Sequence, residues 1–148
     1  MKNDERGGET ERHTWTGRCL YMMQRKITGI EKPWNIHERL ELFACDVVSA
    51  AQNLHSQGGI ARALSFQVLS AGTSAGANAA EGDGASSHDD FIAKHRIALK
   101  EAKEARFRLR VCRRCNLLDA RFDPLVQESD ELVKILAKIV HNALKNRR

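Results

Sequence analysis

Only two prolines interrupt this chain of 148 residues, and no stretch of about 18 apolar residues occurs in it. The first scarcity leaves room for long helices, because a proline inside a helix removes a hydrogen bond and clashes with the preceding turn. The second excludes a transmembrane helix. Short alternating strands are missing as well. The first residues, Met-Lys-Asn-Asp-Glu-Arg-Gly-Gly, lack the apolar centre of a secretory signal, so the cytoplasm is the expected compartment. There the four cysteines, Cys19, Cys45, Cys112 and Cys115, are expected as reduced thiols.

What remains is a composition dominated by alanine, leucine, lysine, arginine and glutamate, which favours an all-α fold. The length suits one domain with a real core. The net charge of +5 allows a polyanionic partner, although mild basicity is also common in proteins with no nucleic-acid role.

Residues 1–34 are polar and glycine-containing, without a sustained period, and read as a poorly ordered N-terminal extension. Trp15 and the run Cys19-Leu20-Tyr21-Met22-Met23 are candidates for local docking, and the tandem methionines suggest an alternative translation start. Residues 35–146 read as the folded domain. Helix 1 begins near Asn35, which forms a capping box with Glu38, and carries Leu40, Phe43, Val47, Ala51 and Leu54 at helical spacing. Gly58-Gly59 ends it. Helix 2 runs from about Ile60 to Glu81. Helix 3 follows a second capping box, Ser87 with Asp90, and extends to about Leu118. Helix 4 starts at Asp123-Pro124, with Asp123 as cap, and presents a broad apolar face including Leu125, Leu132, Leu136 and Val140. Four amphipathic helices with short connections predict an up-down-up-down antiparallel four-helix bundle.

Helix 2 is unusual in its second half, Ser70-Ala-Gly-Thr-Ser-Ala-Gly-Ala-Asn-Ala-Ala-Glu81. Gly72 and Gly76 each weaken an isolated helix by about 1 kcal/mol relative to alanine. Close helix packing is the expected compensation. Gln67, Ser74, Asn78 and Glu81 share one face of this helix, and Glu101, Glu104 and Arg108 lie at the edge of the apolar face of helix 3. Because a buried carboxylate needs a partner, these residues are expected to satisfy one another as a polar seam that fixes helix register. The competing reading, a metal or acid–base site, lacks the Glu-x-x-His pairs of di-metal bundles.

Helix 3 also carries a basic face. Lys100, Lys103, Arg106, Arg110, Arg113 and Arg114, with Arg96 above them, lie away from the small apolar stripe Ala98, Ala102, Ala105, Leu109 and Cys112. Leu99 and Phe107 lie within or near it. Such a face suits salt-dependent, largely sequence-independent contact with phosphates. A solvated helix face, or one paired with acids of a neighbouring subunit, is the plainer alternative. Cys112-Arg-Arg-Cys115 lacks the second ligand pair of a zinc site, and both thiols are expected to point to the core. His37-Glu38 lacks the second histidine of a metalloprotease helix, and neither Gly72-x-x-x-Gly76 nor Gly82-x-Gly84 makes a nucleotide loop. No enzyme chemistry, cofactor or metal is expected.

The stretch Gly72-Thr73-Ser74-x-Gly76-Ala77-Asn78-x-x-Glu81 resembles the central motif of the bacterial four-helix bundle proteins related to those encoded by intervening sequences of 23S ribosomal RNA genes. Glu38-Arg39 with Phe43-Ala44, then Leu64 and Gln67, match their first two helices. Phe91-Ile92-x-Lys94 and Ala98-Leu99-Lys100-Glu101-Ala102-x-Glu104 resemble the third, and Pro124-Leu125-x-x-Glu128-x-x-Glu131-Leu132-x-x-Ile135-Leu136 the fourth. Ser70 stands where an arginine is frequent in the family, Ala75 where a bulky aliphatic is, and Cys112-Arg-Arg-Cys115 replaces a mainly apolar stretch. The resemblance implies a small cytoplasmic bundle that assembles into a homopentamer. A distant relative is the accessory protein of diversity-generating retroelements, a basic pentamer that binds nucleic acid and a reverse transcriptase. No biochemical activity is established for the main family, and its genomic linkage to ribosomal RNA insertions hints at RNA. The expected function is therefore that of an oligomeric bundle contacting RNA or DNA, with a protein–protein adaptor as the alternative.

Overall fold

The computed structural model describes residues 35–147. The expectations for residues 1–34, including Trp15 and the start at Met22-Met23, lie outside them. Four helices follow one another: α1 (Ile36–Gln57), α2 (Gly59–Asp83), α3 (His88–Arg114) and α4 (Asp123–Lys145). A single 3-10 turn, Ala120–Phe122, precedes α4. The described residues form an all-α four-helix bundle.

Helices α1 and α3 start where a side chain serves the exposed backbone N–H groups. The Oδ1 of Asn35 accepts from the N–H of His37 at 2.8 Å. The Oγ of Ser87 accepts from Asp90 N–H, while the Asp90 carboxylate accepts from Ser86 N–H. Asp123 departs from its expected role. It is the first residue inside α4 and not its cap, because its carboxylate is taken by Arg113 at 2.6 Å. The end of α3 also differs from expectation. The helix stops at Arg114, short of Leu118, because Asn116 turns left-handed at φ 57°. Asparagine tolerates that conformation better than other non-glycine residues. The N–H groups of Leu117 and Leu118 then return to the Cys112 carbonyl, and Leu118 is fully buried. The same turn corrects the reading of the cysteine pair: Cys112 is buried and Cys115 is exposed. Burial pushes the Cys112 thiol above its ordinary pKa, with the nearby Cys115 adding to the effect.

Antiparallel order shows in the pairs at each end. The end of α1 meets the connection after α3, where Gln57 Nε2 donates to the Leu117 carbonyl at 2.7 Å. At the opposite end, His37 of α1 lies 2.6 Å from Asp83 of α2. His88 of α3 bonds the Ala143 carbonyl of α4 there, and Arg147 reaches Asp89. The reversal between α1 and α2 needs only Gly58 and Gly59, with φ of 75° and 51°, a region costly for residues with a Cβ.

The core is large residues facing small ones. Leu40, Phe43, Val47 and Leu54 of α1 and Leu132 and Leu136 of α4 are buried. Opposite them stand Ala71, Ala75 and Ala79 of α2 and Ala98, Ala102 and Ala105 of α3, buried as well. Gly72 marks a close approach of α2 to α1. A Cβ there would lie 2.5 Å from Val47 Cγ1 and 2.6 Å from Cγ2. Gly76 is less crowded, since its Cβ would sit 3.5 Å from the Leu40 Cβ.

Among the described residues three polar side chains are buried, Ser65, His95 and Ser129, and each closes locally. The Ser65 and Ser129 hydroxyls donate to the carbonyls of Arg62 and Val126 one turn back, and His95 Nδ1 bonds the Phe91 carbonyl at 3.0 Å. No helix among the described residues is long and apolar enough to cross a membrane.

Candidate nucleic-acid interface

The polar seam is not assembled inside the bundle. Gln67 is exposed, and Ser74 and Asn78 are half-buried, with Asn78 Nδ2 donating to the Ser74 carbonyl at 2.9 Å. Glu81 is exposed and reaches across to Lys94 of α3 at 2.5 Å. Its hydrogen bond raises the Lys94 pKa above the ordinary value. Glu104 pairs with Arg108 along α3 at 2.5 Å, and Glu101 is half-buried at the rim. The spacing puts these residues on shared faces correctly. Gln67 and Glu81 point outward and the others stay at the half-buried rim, because alanines and glycines occupy the inner face. Among the described residues, no group of three or more His, Cys, Asp or Glu side chains is placed to hold a metal ion.

The buried-charge role falls to residues that the spacing does not single out. Arg39 of α1 donates through Nε to Glu128 of α4 at 2.8 Å and through Nη2 to Glu131 at 2.7 Å. Its side chain is only 12% exposed. Burial pulls the guanidinium pKa down, but the hydrogen bonds to Glu131 and Glu128 outweigh it and leave the pKa above its ordinary value. The signal in the sequence is positional. Arg39 precedes Phe43 by one turn, as Glu128 precedes Leu132, which puts both charges at the margin of an apolar stripe.

The basic face of α3 divides into two sets. Arg106, Arg110 and Arg113 lean onto α4. Both Asp130 oxygens accept from Arg110 Nη2, at 2.6 and 2.8 Å, and Arg106 Nη1 lies 3.6 Å from the same carboxylate. Arg113 holds Asp123 and also donates to the Leu118 carbonyl at 2.6 Å. The hydrogen bond to Asp123 is the main cause of a raised Arg113 pKa. Arg110, Arg113, Arg114, Asp123, Val126 and Asp130 line an open groove of about 530 Å³ between the two helices.

Lys100, Lys103 and Arg114 are different. They are exposed and make no ion pair among the described residues. Arg96, Lys100, Lys103, Phe107, Arg110 and Arg114 follow one another at steps of four and three, which places them on a single stripe along the outer side of α3. Phe107 sits in the middle of that stripe and is 67% exposed.

The outer side of α2 has the opposite character. From Ala63 to Ala80 no residue carries a charge, and Phe66, Gln67, Ser70, Ala77 and Ala80 are all exposed. The exposed Phe66 ring meets His55 edge-on, with centroids 5.5 Å apart.

The fold and its surfaces define a class: a small antiparallel four-helix bundle with one cationic helix face and one uncharged face. Residues 34–138 match the family model of the 23S rRNA-intervening sequence protein, and the chain belongs to that family. It is similar to a crystal structure, at 1.70 Å resolution, of a protein of unknown function from the S23 ribosomal protein family of Bacteroides thetaiotaomicron. The identity is 31% and the TM-score 0.66, over 72% of this chain and 98% of that one. Comparison with curated proteins finds no match.

Proposed function

We propose that the protein is a non-enzymatic, self-assembling bundle of the cytoplasm that contacts RNA or DNA through the outer face of α3. The observation that carries this reading is the row of cations, Lys100, Lys103 and Arg114, left without carboxylate partners among the described residues on one stripe. Unpaired surface cations gain most from a phosphate, because no existing ion pair has to break. Arg106, Arg110 and Arg113 are the second rank: each must share or release Asp130 or Asp123 first. Copying the stripe in an assembly would raise weak contacts to useful avidity.

Binding of a labelled RNA should be strongly salt-dependent. Replacing Lys100, Lys103 and Arg114 together by glutamate should weaken it at least tenfold at moderate salt. It should also flatten the dependence of log K on log salt by roughly 0.7 for each phosphate that is no longer neutralised. An unchanged affinity and slope in the triple variant would remove these residues from the interface. The adaptor reading is favoured by the arginines that already hold carboxylates on α4, since an acidic protein surface would offer the same chemistry. It requires a partner that stays bound after nuclease treatment and is released by the same triple variant.

Self-assembly is proposed through the outer side of α2, in line with the pentamer that the family resemblance implies. A helix face without charge from Ala63 to Ala80 is out of character for a chain in which 29% of residues are charged. Light scattering should give a mass several times that of one chain. Phe66→Glu, which puts a charge on that face, should lower it toward the single chain. A native protein already at the mass of one chain would refute the assembly.

A further inference from the structure

We infer that the α3 stripe takes single-stranded nucleic acid, with Phe107 as a stacking platform for an unpaired base. This rests on the phosphate-contacting reading of α3 and adds to it the form of the strand.

Phe107 has no structural task in the bundle. It is 67% exposed and points opposite the buried row Ala98, Ala102, Ala105 and Leu109. The other described phenylalanines are all engaged. Phe43 is buried, Phe66 packs on His55, Phe91 stacks between His88 and His95, and Phe122 lies under Arg121. Phe107 makes no ring contact among the described residues. An aromatic ring held in water at the centre of a helix face is an unfavourable use of a surface position unless something covers it.

The surroundings specify the cover. Lys103 precedes Phe107 by four residues and Lys100 by seven, while Arg110 follows by three and Arg114 by seven. At a rise of about 1.5 Å per residue, cations therefore flank the ring at about 5 and 10 Å on either side along one line. A second apolar protein surface would leave those charges desolvated and unpaired. A duplex would offer phosphates to the cations and nothing to the ring, since its bases are stacked inside. A single strand matches both features, with phosphates for the flanking cations and a free base face for the phenyl ring. Stacking of this kind is tolerant of sequence and does not read the ribose hydroxyl, so RNA and DNA strands both qualify.

The test compares four labelled ligands of equal length on the full chain by fluorescence anisotropy: oligouridylate, oligothymidylate, an abasic deoxyribose-phosphate strand and a blunt duplex. The native protein should bind both base-bearing strands more tightly than the abasic strand or the duplex, by about fivefold or more. Phe107→Ala should abolish that preference and leave abasic binding unchanged, while Phe107→Trp should keep it. Because the ring is exposed, the thermal midpoint of Phe107→Ala should match the native one, which excludes misfolding as the cause. Equal affinity for all four ligands, with Phe107→Ala neutral, would overturn the stacking role and leave the electrostatic reading of Lys100, Lys103 and Arg114 intact. Failure of the native chain to bind any of the four would overturn both.

Discussion

Replacing Arg39 by methionine should lower the stability of the bundle by about 3 kcal/mol, a fall of roughly 12 °C in the thermal midpoint for a domain of this size. The size follows from what is left behind. Glu128 is 16% exposed and is held by two contacts of the Arg39 guanidinium. Removing the cation takes two contacts from a carboxylate that water reaches poorly, and breaking one side of such a cluster costs more than the cluster contributes as a whole. Glu131, at 46% exposed, recovers much of its hydration and adds little to the loss. Neutralising that poorly hydrated carboxylate should therefore restore part of the stability: Arg39→Met with Glu128→Gln should melt above Arg39→Met alone. Thermal unfolding followed by circular dichroism measures both. A single variant within about 0.5 kcal/mol of the native protein would place Arg39 among ordinary surface ion pairs.

Gly72 and Gly76 of α2 should respond in opposite directions to the same change. At Gly72 a new Cβ meets the two γ-methyls of Val47 at 2.5 and 2.6 Å. Valine in a helix has essentially one rotamer, so those methyls cannot swing away and the helices must part. Gly72→Val should destabilise by about 3 kcal/mol, and Gly72→Ala by less, because the gain of about 1 kcal/mol in helix propensity offsets part of the overpacking. Val47→Ala in the same chain should relieve the clash. At Gly76 the new Cβ would meet Leu40 at ordinary van der Waals distance. Gly76→Ala should therefore stabilise by up to about 1 kcal/mol, since it limits the unfolded chain at little cost to the folded one. Urea unfolding of the two alanine variants decides the matter. Equal effects of the same sign at both positions would refute the close approach at Gly72.

Much of this fold is legible in the order of residues, and the failures share a physical origin. Asn35 and Ser87 announce helix starts because their side chains act on backbone two or three positions away. Helix α3 ends earlier than its apolar period predicts, because nothing in that period distinguishes Asn116 in a left-handed turn from one more helical residue. Asp123 reads as a cap because aspartate before proline usually is one, and its actual partner, Arg113, comes from another helix. The polar residues of α2 and α3 illustrate the limit most directly. Periodicity sorts side chains into faces, but which face turns inward is decided by the neighbouring helix. Here the large side chains of α1 and α4 demand small partners, so Ala71, Ala75 and Ala79 go inside, Asn78 stops at the half-buried rim, and Gln67 and Glu81 go out. The cationic face of α3 is visible from spacing alone. Its division into arginines braced on Asp130 and Asp123 and cations without such a brace depends on the register of α3 against α4, which no local pattern encodes.

The Arg39 cluster has a further consequence for how the bundle assembles in time. Helices α1, α2 and α3 each dock on the helix next to them in the chain, contacts that close early because little chain entropy is lost. The bond from Arg39 to Glu131 spans 92 positions and joins the first helix to the last. Such a clasp is expected to shut after the hairpins on either side have formed, and so to contribute little to the rate-limiting nucleus. It acts instead as a latch on the finished structure, governing how long a folded molecule persists before it opens more than how quickly it forms.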